Sequence, residues 1–241
     1  YHEKGGYLMS NYLKVNDFTT TGLRNCVVVD FGTIRSAIPR FSEQTKPYGM
    51  NGSYNQEDGA FEDYERTIRI FFERFSDLAT LVEKFKAVGN QLEFSYQPDS
   101  VFYADLLDTE ITPKGMYGWE LAIKLDMQPF RYQKNSEPVV LTSSGTITNL
   151  GSVYSEPVIE IEGSGDVSLT IGQKTMYLTI NTKATIDCRQ GKQNIYNANG
   201  AVQNTLRKRG GFFEIPVGNT GVTFTGNVSK VTIKPNWRYK V

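Results

Sequence analysis

Alternation of apolar and polar residues with a period of two constrains this chain more than any other feature. In YGWELAIKLDMQPF the residues at odd positions from Trp119 to Met127 are apolar, while most of those between them are charged or polar. This pattern predicts a half-buried antiparallel strand. ERTIRIFFERF, CVVVDFG and QLEFSY repeat it more briefly, so we expect a mainly β protein.

One segment follows a helical period instead. In SDLATLVEKFKAVGN apolar residues recur every three or four positions, Ser76 stands where an N-cap is expected, and Gly89 stands where a helix would end. We predict a single amphipathic helix whose apolar stripe packs on a β-sheet.

The composition of the sequence changes between Tyr132 and Ser136, where polar residues, a proline and serines accumulate. We predict an N-terminal β-sandwich or barrel-like domain with the one helix over residues 9–134. A C-terminal β-sandwich is predicted over residues 135–241, built from short strands such as MYLTI, ATIDC and GGFFEIPVG. The last stretch, NWRYKV, either completes the second domain or returns to the first. Residues 1–8 are interpreted as linker or tag sequence.

Charge and hydropathy exclude several classes of partner. Lys+Arg and Asp+Glu are equal at 26 each, so no net field draws the chain towards nucleic acid or an anionic membrane. No apolar run approaches the roughly 20 residues of a membrane span, and we expect a soluble protein made in a cytoplasm. Cys26 and Cys188 fit a reducing compartment at least as well as a disulfide.

The consecutive residues Asp187, Cys188 and Arg189 raise the question of a nucleophilic cysteine. The chain has one histidine, His2, so the usual imidazole partner of a catalytic thiol or serine is missing, and two cysteines do not fill a structural zinc site. We therefore predict no catalytic, cofactor-binding or metal-binding residues. Cys188 is expected to face the core and Asp187 to face solvent.

Two charged clusters stand out. The acidic run EDGAFEDYE contains enough carboxylates for glycoside cleavage, but a charge run beside glycine is more often a solvated loop. LRKRGG is interpreted as a loop that leads into a GFFEIP strand. The alternative for LRKRGG is an anion site suited to wall teichoic acid or an acidic loop of a partner.

The order of stretches resembles a known family. RTIRIFF, SDLATLVEKF, GNQLEFSYQPDSVFYAD and WELAIKLDMQPFRY succeed one another as in the N-terminal domain of the distal tail (Dit) proteins of siphophages. GTITNLGSVYSEPVIEIEGSG, TIDCRQGKQNIYNANG, GGFFEIPVGNTGVTF and VTIKPNWRYK are similar to the galectin-like C-terminal domain of that family. The resemblance covers the chain from Met9 onward.

The resemblance implies a structural protein of the phage tail tip, or baseplate, without enzymatic activity or cofactors. It implies a hexameric ring that joins the tail-tube protein to the tail-tip protein and carries the receptor-binding protein for host attachment. DNA would pass through the ring without specific binding, and no membrane is involved. The protein would belong to the virion and be assembled in the cytoplasm of the bacterial host.

Two other functions remain open at the level of the sequence. A carbohydrate-binding module for host wall saccharide would suit a galectin-like sandwich, although the second half has no histidine and its sole tryptophan, Trp237, lies near the C-terminus. A tail-tube subunit is the structural alternative, although a minimal tube subunit has no need of a second sandwich.

About thirty residues separate CVVVDFG from ERTIRIFF, which is too long for an unstructured loop in a compact domain. We predict an arm that lies across a neighbouring subunit, with a hairpin folded on its own domain as the alternative. The candidate arm residues are Ile38, Phe41, Tyr48, Met50, Tyr54 and Phe61. The candidate channel-facing acidic residues are Glu57, Asp58, Glu62 and Asp63.

Overall fold

The computed structural model describes residues 11–46 and 48–240 of the 241-residue chain. Within those ranges the backbone forms two sheets of eight strands, one sheet of two strands and one α-helix. The predicted mainly β fold with one helix is confirmed. The segment interpreted as a linker, including His2, lies outside the described residues.

The chain divides into two compact units. The first ends at Arg131 and also includes Lys240, and the second covers Tyr132–Tyr239. No helix in the described residues is long and apolar enough to cross a membrane.

The elements up to the end of the first unit are β1 (Leu13–Val15), β2 (Phe18–Thr19), β3 (Cys26–Asp30), β4 (Pro39–Thr45), β5 (Tyr54–Phe61), β6 (Tyr64–Phe72), α1 (Phe75–Val82), β7 (Asn90–Phe94), β8 (Ser100–Pro113) and β9 (Trp119–Gln133), with a 3-10 helix at Thr20–Gly22.

The remaining elements are β10 (Val139–Leu141), β11 (Gly145–Asn149), β12 (Val158–Ile171), β13 (Lys174–Ile180), β14 (Lys183–Asp187), β15 (Asn194–Asn197), β16 (Arg207–Arg209), β17 (Gly218–Lys234) and β18 (Arg238–Lys240), with a 3-10 helix at Asn204–Leu206.

The first large sheet has the order β2-β1-β7-β8-β9-β6-β3, and β18 pairs with β9. The antiparallel pair β6 and β9 lies inside the sheet, next to its last strand β3, with Ile68 opposite Ile123 and Ile70 opposite Leu121. Alternate side chains of both strands are buried, which is the period-two pattern of the sequence. Trp119, at the start of β9, lies half-buried at the rim of this core.

Helix α1 covers one side of this core with Leu78 and Leu81, as its apolar spacing predicts. Its ends differ from the prediction. The N-cap is Arg74, without a side-chain hydrogen bond, and the helix ends at Val82, well before Gly89. Gly89 instead adopts a left-handed backbone, and its N–H donates to the Asp105 carboxylate, so it ends the turn into β7 rather than the helix.

The second large sheet is organised by β12 and β17, which pair with each other along most of their length. The first half of β12 also pairs with β14, and its second half pairs with β13. Register shifts separate the two halves, next to Glu162 and Gly163 and again before Ser168. Such bulges bend a strand, so the single pair of β12 and β17 runs through both the part of the sheet that contains β14 and the part that contains β13.

Glycine is required where this pair bends. A Cβ on Gly163 would lie 2.2 Å from the Asn227 carbonyl oxygen, and a Cβ on Gly226 would lie 2.4 Å from the Asp166 carbonyl oxygen. Gly226 also has a φ of 91°, in the region that other residues rarely adopt. Backbone passes so closely here that no side chain fits.

Two details of the second unit differ from the prediction. LRKRGG is not a loop, because Arg207–Arg209 forms β16. GFFEIP is not a regular strand: it holds Phe213 and Ile215 in the core and joins the sheet by a single bridge between Ser155 and Ile215.

Substitution of Gly226 by alanine tests the requirement at the bend. We expect it to lower the free energy of unfolding by about 2–4 kcal/mol, because it adds both a backbone clash and a strained φ. Gly221→Ala in the same strand is the control, since a Cβ there meets nothing within 4 Å. Urea unfolding measures both, and equal effects would contradict the close-approach explanation.

Candidate functional site

The segment between β3 and β6 forms a two-stranded antiparallel hairpin of β4 and β5, separate from both large sheets. Its pairs run from Pro39 opposite Phe61, at the base, to Thr45 opposite Tyr54, near the turn. Register shifts on both sides of Phe41 interrupt the ladder. Isolated two-stranded ribbons are marginally stable in water, so this hairpin lacks the packing that a third strand or a helix provides.

Most of the predicted arm residues are exposed on this hairpin and its turn. The exposed apolar and aromatic side chains each have at least 44% of their surface accessible: Ile38, Phe41, Tyr48, Met50 and Tyr54. Exposed apolar groups concentrated on one segment are typical of interaction surfaces. The segment was predicted to be either an arm across a neighbouring subunit or a hairpin folded on its own domain. A hairpin is the local structure observed, but these five side chains do not pack into the domain core.

The sixth residue, Phe61, anchors the base of the hairpin. Its ring packs edge to face on Phe130, with 5.0 Å between centroids, and the Lys240 Nζ lies 4.7 Å from the Phe61 centroid. The Glu62 N–H donates to the Ile38 carbonyl at 2.9 Å and closes the base. Phe61 therefore differs from the other five candidates, since it contacts its own unit.

A buried arginine fixes the path of the chain into the hairpin. Arg66 is only 2% exposed, and its Nε donates to the Phe31 carbonyl at 2.6 Å. One terminal nitrogen donates to the Tyr96 hydroxyl at 3.0 Å, and the guanidinium carbon lies 4.5 Å from the Phe94 ring centroid. Gly32, the residue after Phe31, lies so close to the backbone of β6 that no Cβ would fit.

The four predicted acidic residues are all exposed, but the structure divides them. Glu57 and Asp58 belong to β5 in the hairpin, whereas Glu62 and Asp63 connect β5 to β6. Asp58 accepts two hydrogen bonds from Arg40, at 2.5 and 2.9 Å, and this partner lowers the pKa of its carboxyl group. Glu57 lies opposite Phe41.

Asp63 belongs to an acidic surface that sequence reasoning missed. Partial burial first, and then the adjacent Asp63 carboxylate, raise the pKa of Asp126; Asp105 and Glu65 add to the effect. Glu65 and Asp126 are directly opposite each other on β6 and β9. The alternation of both strands already contained a signal for this surface. Glu65 and Asp126 occupy polar positions of β6 and β9, and residues that lie opposite each other on paired strands share one face of the sheet.

Lys124 offsets part of this charge. Its Nζ lies 2.8 Å from a Glu65 carboxylate oxygen, and that hydrogen bond raises the pKa of the lysine. Among the described residues, no group of three or more His, Cys, Asp or Glu side chains has an arrangement that could hold a metal ion. The acidic surface has more carboxylates than cations, and is therefore a region of negative potential.

The Asp187, Cys188 and Arg189 stretch is structural. Cys188 is buried in the second core as predicted, and burial raises the pKa of its thiol to about 12, which keeps it protonated at neutral pH. The prediction for Asp187 was wrong: its side chain is buried and accepts hydrogen bonds from Arg189. A buried carboxylate is tolerated there because the Arg189 guanidinium compensates its charge.

No protein-family model matches the sequence. No curated protein matches it either. Among solved structures, the chain is similar to the crystal structure of the SPP1 Dit protein (gp 19.1), described as a paradigm of the hub adsorption apparatus in phages that infect Gram-positive bacteria. The TM-score is 0.64 at 12% sequence identity, over 96% of this chain and 99% of that chain.

The chain has the fold of a Dit protein. At 96% of the chain, the likeness extends over both units. The resemblance to the Dit family that the order of stretches indicated is confirmed at the level of the fold.

The carboxylate cluster of this Dit-like chain makes stability depend on pH. Because the folded state raises the pKa of Asp126, the favourable contribution of its proton is present at low pH and is lost as pH rises through that pKa. We expect Asp126→Asn to stabilise the protein at neutral pH by about 0.5 kcal/mol, as like charges across a strand pair are relieved. The effect should shrink near pH 3, where the aspartate is protonated.

Urea unfolding at both pH values measures this difference. Asp99→Asn, at an exposed aspartate in the turn before β8, is the matched control and should change little. Molar salt should reduce the effect of Asp126→Asn by screening. Destabilisation by Asp126→Asn at neutral pH would contradict the repulsion described here.

Proposed function

We propose that this protein is a structural component of a phage tail tip, in which six copies form a ring at the distal end of the tail tube. The whole-length similarity of fold to SPP1 Dit is the observation that carries the proposal. The ring joins the tail-tube protein to the tail-tip protein and carries the receptor-binding protein. The protein makes and breaks no bond in this role, and it resides in the virion after assembly in the host cytoplasm.

The β4–β5 hairpin supports a head-to-tail contact between copies. Its two edges have no further strand among the described residues, and five of its apolar or aromatic side chains are exposed. A neighbour that covered them would supply the burial that a lone ribbon lacks. Each subunit gives one hairpin and receives one, which is the heterologous contact that closes a ring.

The acidic residues suit a passage for DNA. Phosphate contacts with cations give most nonspecific affinity for DNA, so carboxylates along a channel would let DNA pass without adhering. Glu57, Glu62 and Asp63 remain candidates for this lining, together with Asp126. Asp58 contributes less, because Arg40 neutralises it.

Negative-stain electron microscopy of the purified protein, with light scattering for mass, tests the ring. Six-fold closed rings are the expected result. A protein that stays monomeric at all concentrations would overturn the proposal, and stacked open tubes would favour the tail-tube alternative.

Replacement of residues 42–60 by a short Gly-Ser linker tests the arm. We expect a folded subunit that sediments as a monomer, because the large sheets lie outside the replaced segment. A shortened protein that still forms closed rings would show that the hairpin does not hold them together.

A gentler variant keeps the hairpin and changes only its exposed side chains to serine, at Ile38, Phe41, Met50 and Tyr54. The matched control changes four equally exposed apolar residues of the second unit to serine, at Val140, Leu150, Val202 and Val217. Sedimentation should show loss of rings for the hairpin variant alone. Equal loss in both would indicate a general effect of surface hydrophobicity.

The carbohydrate-binding alternative finds no support at Trp237. This side chain is 5% exposed and belongs to the second core, so its ring has no free face for a sugar to stack on. We expect no measurable affinity of the full chain for β-galactosides by calorimetric titration. Millimolar or tighter binding would restore the carbohydrate class.

A further inference from the structure

The neutral chain is made of two oppositely charged parts. Residues 1–131 with 240–241 carry 19 acidic and 15 basic side chains, whereas residues 132–239 carry 7 acidic and 11 basic side chains. The equality of charge over the whole sequence therefore conceals an excess of four positive charges in the second unit. Local excess, rather than the total, decides which ligands a surface attracts.

Most carboxylates of the second unit are already paired with a cation. The ion pairs are Lys174–Glu214, Lys183–Glu160, Arg189–Asp187, Lys230–Glu162 and Arg238–Glu156. Arg207, Lys208 and Arg209, the three residues of β16, form no ion pair with any residue that the structure describes. Three of the cations of this unit that form no ion pair with a described residue are thus consecutive on one strand.

Aromatic rings hold both guanidiniums of β16 in place. The Arg209 guanidinium carbon lies 4.4 Å from the centroid of Tyr177, and that of Arg207 lies 4.9 Å from the centroid of Phe212. Arg207 also donates to the Gly210 carbonyl. Stacking on a ring orients a guanidinium and leaves N–H groups at its edge available to an anion.

The backbone beneath these cations is also fixed. Gly210, directly after β16, approaches β13 so closely that a Cβ would lie 2.2 Å from the Thr175 carbonyl oxygen. In the ladder Tyr177 lies opposite Arg209 and Leu178 opposite Arg207, so the register shifts and Lys208 has no residue opposite it. The three consecutive cations lie on the last strand of the sheet, with Arg209 opposite the exposed Tyr177 and Arg207 opposite the buried Leu178.

We propose that β16 is a binding site for a linear polyanion whose repeating phosphodiesters are joined by polyol or sugar units. Guanidiniums donate paired hydrogen bonds to phosphate oxygens, and the Lys208 ammonium adds a third positive group beside them. A flexible polymer lets successive phosphates reach successive cations. This inference goes beyond the proposed ring and does not depend on it.

Other anions fit the strand less well. An acidic peptide would bind an outer strand by adding to its ladder, but a bulge and a run of cations are the features that discourage strand addition. Single-stranded nucleic acid binds chiefly by stacking bases on aromatic faces. At this site guanidiniums lie over the rings of Tyr177 and Phe212.

Titration of the full chain with a synthetic glycerol-phosphate oligomer, followed by calorimetry at low and moderate salt, tests the site. We expect binding that weakens with salt and a loss of affinity of roughly tenfold or more in the triple variant Arg207→Gln, Lys208→Gln, Arg209→Gln. Oligo(dT) and poly-glutamate of matched charge are the comparison ligands and should bind more weakly.

A charge-matched control separates the site from net charge. Lys192→Gln, Lys230→Gln and Lys234→Gln remove the same three charges from the same unit and should leave affinity within about twofold. Equal loss in both triple variants would overturn the proposal, as would undetectable binding to the unmodified chain. Stronger binding of oligo(dT) or poly-glutamate would assign the site to another class of ligand and also overturn it.

A conservative variant guards against misfolding of the triple variant. Arg207→Lys with Arg209→Lys keeps every charge but removes the planar groups that stack on the rings, so affinity should fall several-fold. Unchanged affinity would show that guanidinium geometry plays no part. Sedimentation of the same variants should show unaltered assembly, which keeps this test separate from the test of the ring.

Discussion

The buried guanidinium of Arg66 fixes the point at which the chain leaves the first sheet. The Phe31 carbonyl oxygen, the Tyr96 hydroxyl and the ring of Phe94 take the place of solvent around this guanidinium. Phe31 follows β3, whereas Phe94 ends β7 and Tyr96 comes shortly after it. A buried charge is costly unless such partners surround it. The start of the segment that leads to the hairpin is therefore tied to β6, although the hairpin itself contributes little to the core.

The functions that we propose depend on surfaces that the cores do not need. The hairpin exposes apolar groups, the face shared by β6 and β9 gathers carboxylates, and β16 gathers cations. None of these three surfaces buries enough side-chain area for the stability of the fold to explain it alone. The carboxylate face lowers stability, because like charges lie across a strand pair. Each is better explained by what approaches it from outside the chain.

The sequence predicts what depends on local pattern and misses what depends on pairing between distant segments. Alternation predicted β6 and β9 because their core-facing positions are apolar or aromatic, apart from Arg66 in β6. The end of α1 was misjudged because the chain after Val82 turns with shorter-range backbone hydrogen bonds, from the Lys84 N–H to the Leu81 carbonyl and from the Phe85 N–H to the Val82 carbonyl, and apolar spacing does not distinguish this turn from a continuing helix. The expected exposure of Asp187 was wrong because parity alone does not show that Arg189 folds back over the carboxylate.

The site was predictable to a similar degree. Length and aromatic content marked the segment between β3 and β6 as unusual, and the structure gives it the form of a hairpin with five exposed candidates. The partnership of Asp63 with Asp126 required knowledge of which strands are neighbours. The same limit applied to β16, whose rings at Tyr177 and Phe212 come from different parts of the chain.

The glycine bend between β12 and β17 bears on how such proteins diverge. At Gly163 and Gly226 the backbones approach too closely for any side chain, while the surrounding core asks only for apolar residues of suitable volume. Selection on this unit therefore acts strongly on a few positions and loosely on the rest. A lineage built this way can replace most of its residues and keep its architecture, so kinship is better sought in the spacing of its bends than in shared side chains.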